Sequence, residues 1–134
     1  MATATKTAKE ILTYTDDAGN LITSVTRSVS GDMSLPFKDV FAAGVTNVGV
    51  PAVIFAKART QFFVFASDQP VTIKTNSATS PQETITLAAG GTYAWNTSHS
   101  EANPLAGDVN GVFITNAGTA AATVTIYPLI NATP

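Results

Sequence analysis

Short segments rich in β-branched residues, separated by turn-forming residues, recur along most of this chain. Two clear examples are Pro70–Thr75 and Glu83–Leu87, in which apolar and polar residues alternate. Alternation with a period of two is typical of a strand that has one face in a core and the other in solvent. About eight such segments follow one another at intervals of roughly 8–15 residues, a spacing that predicts an antiparallel β-sandwich or barrel.

The chain length of 134 residues suits one domain. We predict a single all-β domain over residues 10–130, because the strand pattern runs through that range. Residues 1–9 are rich in Thr, Ala and Lys without periodicity. They predict a flexible N-terminal arm, and residues 131–134 predict a C-terminal tail.

A hairpin is predicted near the N-terminus. Its strands, residues 11–15 and 21–29, are rich in β-branched residues and flank the sequence Asp16-Asp-Ala-Gly-Asn20. The oxygens of Asp16, Asp17 and Asn20 suggest calcium ligands. The same residue types are the ones that a tight turn needs, so the turn is the preferred interpretation.

The segment from Leu35 to Gly44 departs from the strand pattern. Pro36 suits the first position of a helix, and Gly44 suits its end. We therefore predict a short helix here, with an extended conformation as the competing prediction.

Two neighbouring runs, Ala52–Ala56 and Phe62–Ala66, are apolar without alternation. Such runs are typical of strands that are covered on both faces. In a small sandwich only one face of a strand meets the core, so the second face needs another cover. A second subunit would supply it, and we therefore predict a subunit interface that includes Val53, Phe55, Phe63 and Phe65.

The composition argues against several kinds of chemistry. Charged residues make up 12% of the chain, with a net charge of −2 and seven Lys and Arg in total. That is too few cations for a nucleic-acid interface. No stretch approaches the ~18 consecutive apolar residues of a membrane span. The chain has no cysteine and one histidine, so we predict no cofactor, no metal site, no nucleic acid and no membrane as partners.

The single histidine, His99, is followed and preceded by residues that suggest a hydrolase. Ser98, Glu101 and Asp108 would complete a Ser-His-acid set. Adjacent loop residues seldom face one another, however, and the chain lacks a G-x-S-x-G elbow. We interpret His99 as a surface or loop-ordering residue and predict no catalytic residue, so that the protein is expected not to be an enzyme.

Three aromatic residues, Tyr93, Trp95 and Tyr127, suggest a platform for sugar rings. A tryptophan at the end of a strand is more often part of a core or a sheet edge. This platform is the basis of an alternative function, a carbohydrate-binding module.

The second half of the chain resembles small β-sandwich virion proteins of tailed bacteriophages, among them capsid decoration or cement proteins and minor head or tail components. The resemblance covers roughly residues 67–130 and is carried by strand and turn sequences: Ser67–Ser77, Glu83–Trp95, Asn103–Leu105 and Val112–Ile126. It implies a jelly-roll-like sandwich that clusters in threes on a capsid lattice and binds it non-covalently. No catalytic position is carried over.

Together these observations predict a non-enzymatic virion structural protein that decorates and reinforces a bacteriophage capsid. The expected fold is a jelly-roll-like sandwich, with an immunoglobulin-like sandwich as the alternative. The expected partners are other copies of the chain, in a homotrimer, and the major capsid protein. The expected location is the capsid surface of the virion, after synthesis in the host cytoplasm. The alternative function is a carbohydrate-binding module or a phage tail component that binds a host receptor.

Overall fold

The computed structural model describes residues 5–132, and its regular structure consists of strands and one short 3₁₀ turn, Lys57–Arg59. The predicted all-β class is confirmed. The strands are β1 (Lys6–Thr15), β2 (Leu21–Gly31), β3 (Met33–Ser34), β4 (Phe37–Phe41), β5 (Val45–Phe55), β6 (Thr60–Ser67), β7 (Val71–Thr75), β8 (Thr84–Leu87), β9 (Thr92–Asn96), β10 (Val109–Asn116) and β11 (Ala122–Ile130).

Two antiparallel sheets form the body of the molecule. One has the strand order β4-β11-β6-β9, with β3 also paired to β11, and we call it the outer-docking sheet. The other has the order β5-β10-β7-β8. The strands are nested in pairs: β4 with β11, β5 with β10, β6 with β9 and β7 with β8. This nesting is the winding of a jelly roll, as expected, and not of an immunoglobulin-like sandwich.

The core lies between the two sheets and is built by alternating residues of each strand. In β11, Val124 and Ile126 are fully buried, and in β10 Ile114 is as well. The ring centroid of Phe63 lies 5.6 Å from that of Phe65. Because side chains alternate between the two faces of a strand, the apolar residues of these strands face the core.

The four residues predicted to form a subunit interface lie inside this core. Val53, Phe55, Phe63 and Phe65 are at most 4% exposed. The interface prediction is wrong for these side chains, because a residue enclosed by its own chain presents no surface to a second copy. On β5 the outward neighbours of these residues are exposed instead, with Ile54 at 52%.

The second face of β6 is covered by the chain itself. Phe62 and Leu129, on the outer face of the outer-docking sheet, pack against Ala8 and Val29 of the β1–β2 hairpin. Gly31 makes this close approach possible, since a Cβ at that position would lie 2.7 Å from the carbonyl oxygen of Ile130. The double-sided apolar pattern of β6 therefore reflects a hairpin that docks on the sandwich.

The predicted flexible arm is also corrected. Residues 6–9 belong to β1 and pair with Ser28–Gly31, because the hairpin extends further than the β-branched pattern indicated. Residues 1–4 of that arm lie outside the described residues. In the predicted tail, the amide of Asn131 donates to the carbonyl oxygen of Arg59, and residues 133–134 again lie outside the described range.

The predicted helix near Phe37 is wrong, because this segment is strand β4. Phe37 and Phe41 are four residues apart, a spacing that places them on one face of either a helix or a strand. The segment is a strand because its backbone pairs with β11. This pairing satisfies N–H and C=O groups along the edge of β11 that a helix would leave unpaired. Phe41 then reaches the core as part of a sheet.

Candidate assembly surface

The β1–β2 hairpin is regular over most of its length. It pairs from Lys6↔Gly31 to Thr15↔Leu21, with one irregularity near the turn. One carboxylate oxygen of Asp16 accepts hydrogen bonds from the amides of Ala18 (3.0 Å) and Asn20 (2.8 Å). The predicted hairpin is thus confirmed, and its turn uses the Asp16 carboxylate to satisfy its own backbone.

The hairpin crosses the outer-docking sheet at one end of the strands. Its base packs on β11 and β6, as described above. Two residues further along β1, Glu10 contacts Asn96 at the end of β9. Because β9 is the edge strand of this sheet, the rest of the hairpin extends beyond the sheet. Residues 11–26 form this projecting tip, which reaches about 17 Å past Glu10 at the usual rise per residue.

The projecting tip carries much of the exposed apolar surface of the described residues. Four of the eight large apolar side chains with high exposure belong to it: Ile11 (63%), Tyr14 (53%), Leu21 (63%) and Ile22 (66%). An isolated two-stranded hairpin is only marginally stable in water. Clustered apolar side chains on such an element indicate a surface that contacts another molecule.

A polar network fixes the hairpin at the point where the tip begins. One carboxylate oxygen of Glu10 accepts a hydrogen bond from the side-chain amide of Asn96 (2.7 Å) and another from Arg27 (3.3 Å). The Nε2 atom of His99 lies 2.8 Å from the same oxygen. The Glu10 side chain is 16% exposed and that of His99 is 19% exposed. His99 therefore orders the loop after β9 by linking it to the hairpin.

Sequence reasoning missed Glu10 and Arg27. The contact between Glu10 and Arg27 could have been predicted from the sequence, because the hairpin register places these opposite charges directly across from each other. The contact with His99 lies 89 residues away in the sequence and has no local signal.

The electrostatics of the network favour an ionised Glu10. Partial burial raises the pKa of Glu10, but hydrogen bonds from His99, Asn96 and Arg27 and the charge of His99 outweigh that effect. The net result is a pKa below the usual value. The ionised carboxylate is thus a stabilising part of the docked hairpin.

We expect the hairpin to lose stability at acidic pH. A carboxylate whose pKa is lower in the folded state contributes stability above its unfolded-state pKa, about 4.3 for Glu. That contribution is lost as the pH falls through the lower folded-state pKa. The thermal midpoint should therefore fall between about pH 5 and pH 3 more steeply for the unmodified protein than for Glu10→Gln.

The comparison between the unmodified protein and Glu10→Gln gives the contribution of Glu10 to the pH dependence of the thermal midpoint. Asp16, whose pKa is also lowered by hydrogen bonds, chiefly from Asn20, is present in both and cancels. Equal pH dependence in the two proteins would contradict the assigned role of Glu10. Hydrogen exchange of the β1 and β2 amides would show whether the loss is confined to the hairpin.

The residues that suggested a hydrolase are not brought together. The side chain of His99 contacts Glu10, whereas a carboxylate oxygen of Asp108 accepts from the amide of Lys57 at 2.9 Å. The backbone carbonyl of Glu101 accepts from the indole nitrogen of Trp95 at 2.9 Å. Each of these residues orders a loop in the described structure.

The three aromatic residues do not form a shared platform. Tyr93 and Trp95 pack against Phe63 in the core, while Tyr127 lies on the opposite face of the sheet and packs edge-on against Phe62. A cavity of about 520 Å³ lies beside Trp95, and its lining includes Lys57, Thr60, Gln61, Thr97, Asn103 and Asp108. The buried side-chain amide nitrogen of Asn103 has no hydrogen-bond partner among the described residues.

Within residues 5–132, no group of three or more His, Cys, Asp or Glu side chains is placed to hold a metal ion. Over the same range, no helix has the length and apolar character needed to cross a membrane. No known protein family, curated protein or solved structure matches this chain. The fold and the hairpin therefore define a class by architecture alone: a jelly-roll sandwich that carries a projecting apolar tip.

Proposed function

We propose that this chain is a non-enzymatic structural protein of a bacteriophage virion, which decorates and reinforces the capsid as a homotrimer. The observation that supports this proposal is the projecting tip with its exposed Ile11, Tyr14, Leu21 and Ile22. A protein that reinforces a lattice needs a rigid body and a segment that reaches a neighbour. The sandwich and the tip have these two properties.

Two further features are consistent with the proposal. Double-sheet jelly rolls are frequent in viral capsid proteins, and the resemblance to phage virion proteins falls on residues 67–130, which contain β7 to β11. The chain also has only sixteen charged residues. A low density of charge suits a surface that is covered by repeated contacts in an assembly.

The solution mass of the purified protein tests the trimer. Light scattering coupled to size exclusion should give three times the 13.8 kDa mass of the chain. The double variant Leu21→Ser/Ile22→Ser should shift the protein to monomer, because it removes the exposed apolar pair of the tip. Ile54→Ser, at a somewhat less exposed apolar site on β5, is the control and should leave the mass unchanged.

Attachment to capsids tests the virion role directly. The protein should sediment with purified capsids of the phage that encodes it, at a fixed ratio of copies per capsid, and the tip variant should sediment less. A monomeric protein that does not associate with capsids would refute the proposal.

A second candidate, glycan binding by a carbohydrate-binding module or a tail receptor-binding component, is favoured only by the cavity beside Trp95. Glycan-array binding that is lost in Gln61→Ala, which lines this cavity, and kept in Thr84→Ala on the opposite sheet would favour that candidate.

A further inference from the structure

The hairpin covers only one end of the outer face of the outer-docking sheet. Further along the strands, Thr125, Ala66 and Thr92 stand opposite one another in β11, β6 and β9. They therefore share the outer face, and Thr92 is exposed while the other two are half-buried. We call the region around these three residues the open face.

The open face contains a shallow depression whose lining is partly polar and includes two residues of opposite charge. The depression has a volume of about 420 Å³ and is lined by Ala66, Thr123, Thr125, Lys38, Asp68 and neighbouring backbone. Asp68 already accepts a hydrogen bond from the amide of Thr123 at 2.7 Å. Lys38 is exposed, so the depression offers a cation at its rim beside small and methyl-bearing side chains.

The side of the hairpin that faces the sheet at its base can be followed along both strands into the tip. Residues Ala8 and Glu10 of β1 face the sheet, and by strand alternation Leu12 and Tyr14 follow on the same side. Across the hairpin, Val25 stands opposite Leu12 and Thr23 stands opposite Tyr14, so both share this side, and Leu21 follows beyond the irregularity in the register. Apart from Thr23 this inner side of the tip is apolar, and the turn at its end carries the exposed Asp17.

The tip does not reach the open face of its own chain. The hairpin runs across the strands and leaves the sheet at the edge strand β9. The open face lies in a different direction, further along the strands. Contact between these two surfaces would therefore require a second copy, whose tip would lay its apolar side on the Thr and Ala side chains and bring Asp17 near Lys38.

We propose that the tip of one copy packs its inner side on the open face of the next copy, in a closed head-to-tail ring. This inference rests on the assembly role in the proposed function and identifies its contact. It extends between copies the same hairpin-on-sheet packing that buries Ala8 and Val29 within each chain. A head-to-tail contact of this kind gives a ring when its rotation closes.

Disulfide trapping tests the contact against a clean background, because the chain has no cysteine. Leu21→Cys and Thr125→Cys, the latter with an affinity tag, are unfolded together, refolded and mildly oxidised. A covalent dimer containing one chain of each variant is expected. Thr84→Cys, an exposed threonine of β8 on the other sheet, is the matched control and should give at least tenfold less cross-linked product with Leu21→Cys.

A charge exchange supplies an independent measurement. Asp17→Lys and Lys38→Asp should each weaken self-association by up to about fivefold, the range of an exposed ion pair, and the double variant should recover the lost affinity. Failure of the double variant to recover would contradict the proposed proximity of these two residues.

The outcomes separate this inference from the proposed function. A trimer without Leu21–Thr125 cross-linking, or with equal cross-linking to Thr84→Cys, would overturn the contact and leave the trimer intact. A monomer that still sediments with capsids would mean that the tip binds the capsid protein, which overturns the contact but not the virion role. A monomer that does not bind capsids would overturn both.

Discussion

Replacing Phe63 by alanine is expected to lower the free energy of unfolding by about 3–5 kcal/mol. The side chain is fully buried, and its ring lies within 6.4 Å of the ring centroids of Phe65, Tyr93 and Trp95. Removal of the ring leaves a cavity among three aromatic neighbours that a sheet cannot close by moving its backbone. Such a loss is a large part of the stability of a domain of this size.

Urea unfolding followed by tryptophan fluorescence measures this effect, since Trp95 is the only tryptophan and packs beside the mutated site. Ile54→Ala, which truncates a half-exposed side chain on β5, should change the unfolding free energy by less than about 1 kcal/mol. A small effect of Phe63→Ala, comparable with this control, would contradict the burial of Phe63 in the monomer core.

Replacing Asn116 by alanine is expected to cost about 3 kcal/mol. The fully buried amide of Asn116 donates to the carbonyl oxygens of Phe41 (3.1 Å) and Ala120 (2.8 Å) and accepts from the amide of Gly118 (3.1 Å). These bonds link the end of β4 to the connection between β10 and β11, which passes from one sheet to the other. Alanine would leave the buried carbonyl of Phe41 without this partner, at a cost of about 1–3 kcal/mol, and would also remove the partly buried bonds to Ala120 and Gly118.

The same strand provides the control for Asn116. Asn110 also lies in β10, but it is exposed. Its backbone amide donates to the side-chain oxygen of Asn76, and its side chain has no hydrogen-bond partner among the described residues. Asn110→Ala should therefore change the unfolding free energy by about 0.5 kcal/mol or less. Equal effects of the two substitutions in thermal or urea unfolding would contradict the role of the Asn116 amide.

Most of the sandwich could be predicted from the sequence because its strands alternate strictly. Val71 and Ile73 in β7, or Val124 and Ile126 in β11, are separated by polar residues that lie on the other face. For such segments, alternation with a period of two indicates a strand that has one face in the core. The segment of Phe37 and Phe41 lacks that property, and the edge of a distant strand determined its conformation.

The assembly surface was only partly predictable. The double-sided apolar character of β6 correctly indicated a second cover, but no local pattern states whether that cover is another copy or another part of the same chain. The hairpin was predicted from its turn residues, whereas its docking depends on Gly31 and Glu10, which meet partners far away in sequence. The pairing of the two hairpin strands can be inferred from the turn residues and the strand pattern. The docking of the hairpin on the sheet cannot be inferred from a local pattern.

The nested pairing of the jelly roll has a consequence for the order in which the chain folds. Phe41 of β4 pairs with Ala122 of β11, so the sheet that supports the hairpin cannot close until β11 has left the ribosome. The hairpin joins sequence neighbours and forms on a timescale of about 1–10 μs, whereas a topology of distant pairings folds in milliseconds to seconds. Newly made chains therefore expose the apolar residues of the tip, without the sheet on which the base of the hairpin docks, until β11 completes that sheet.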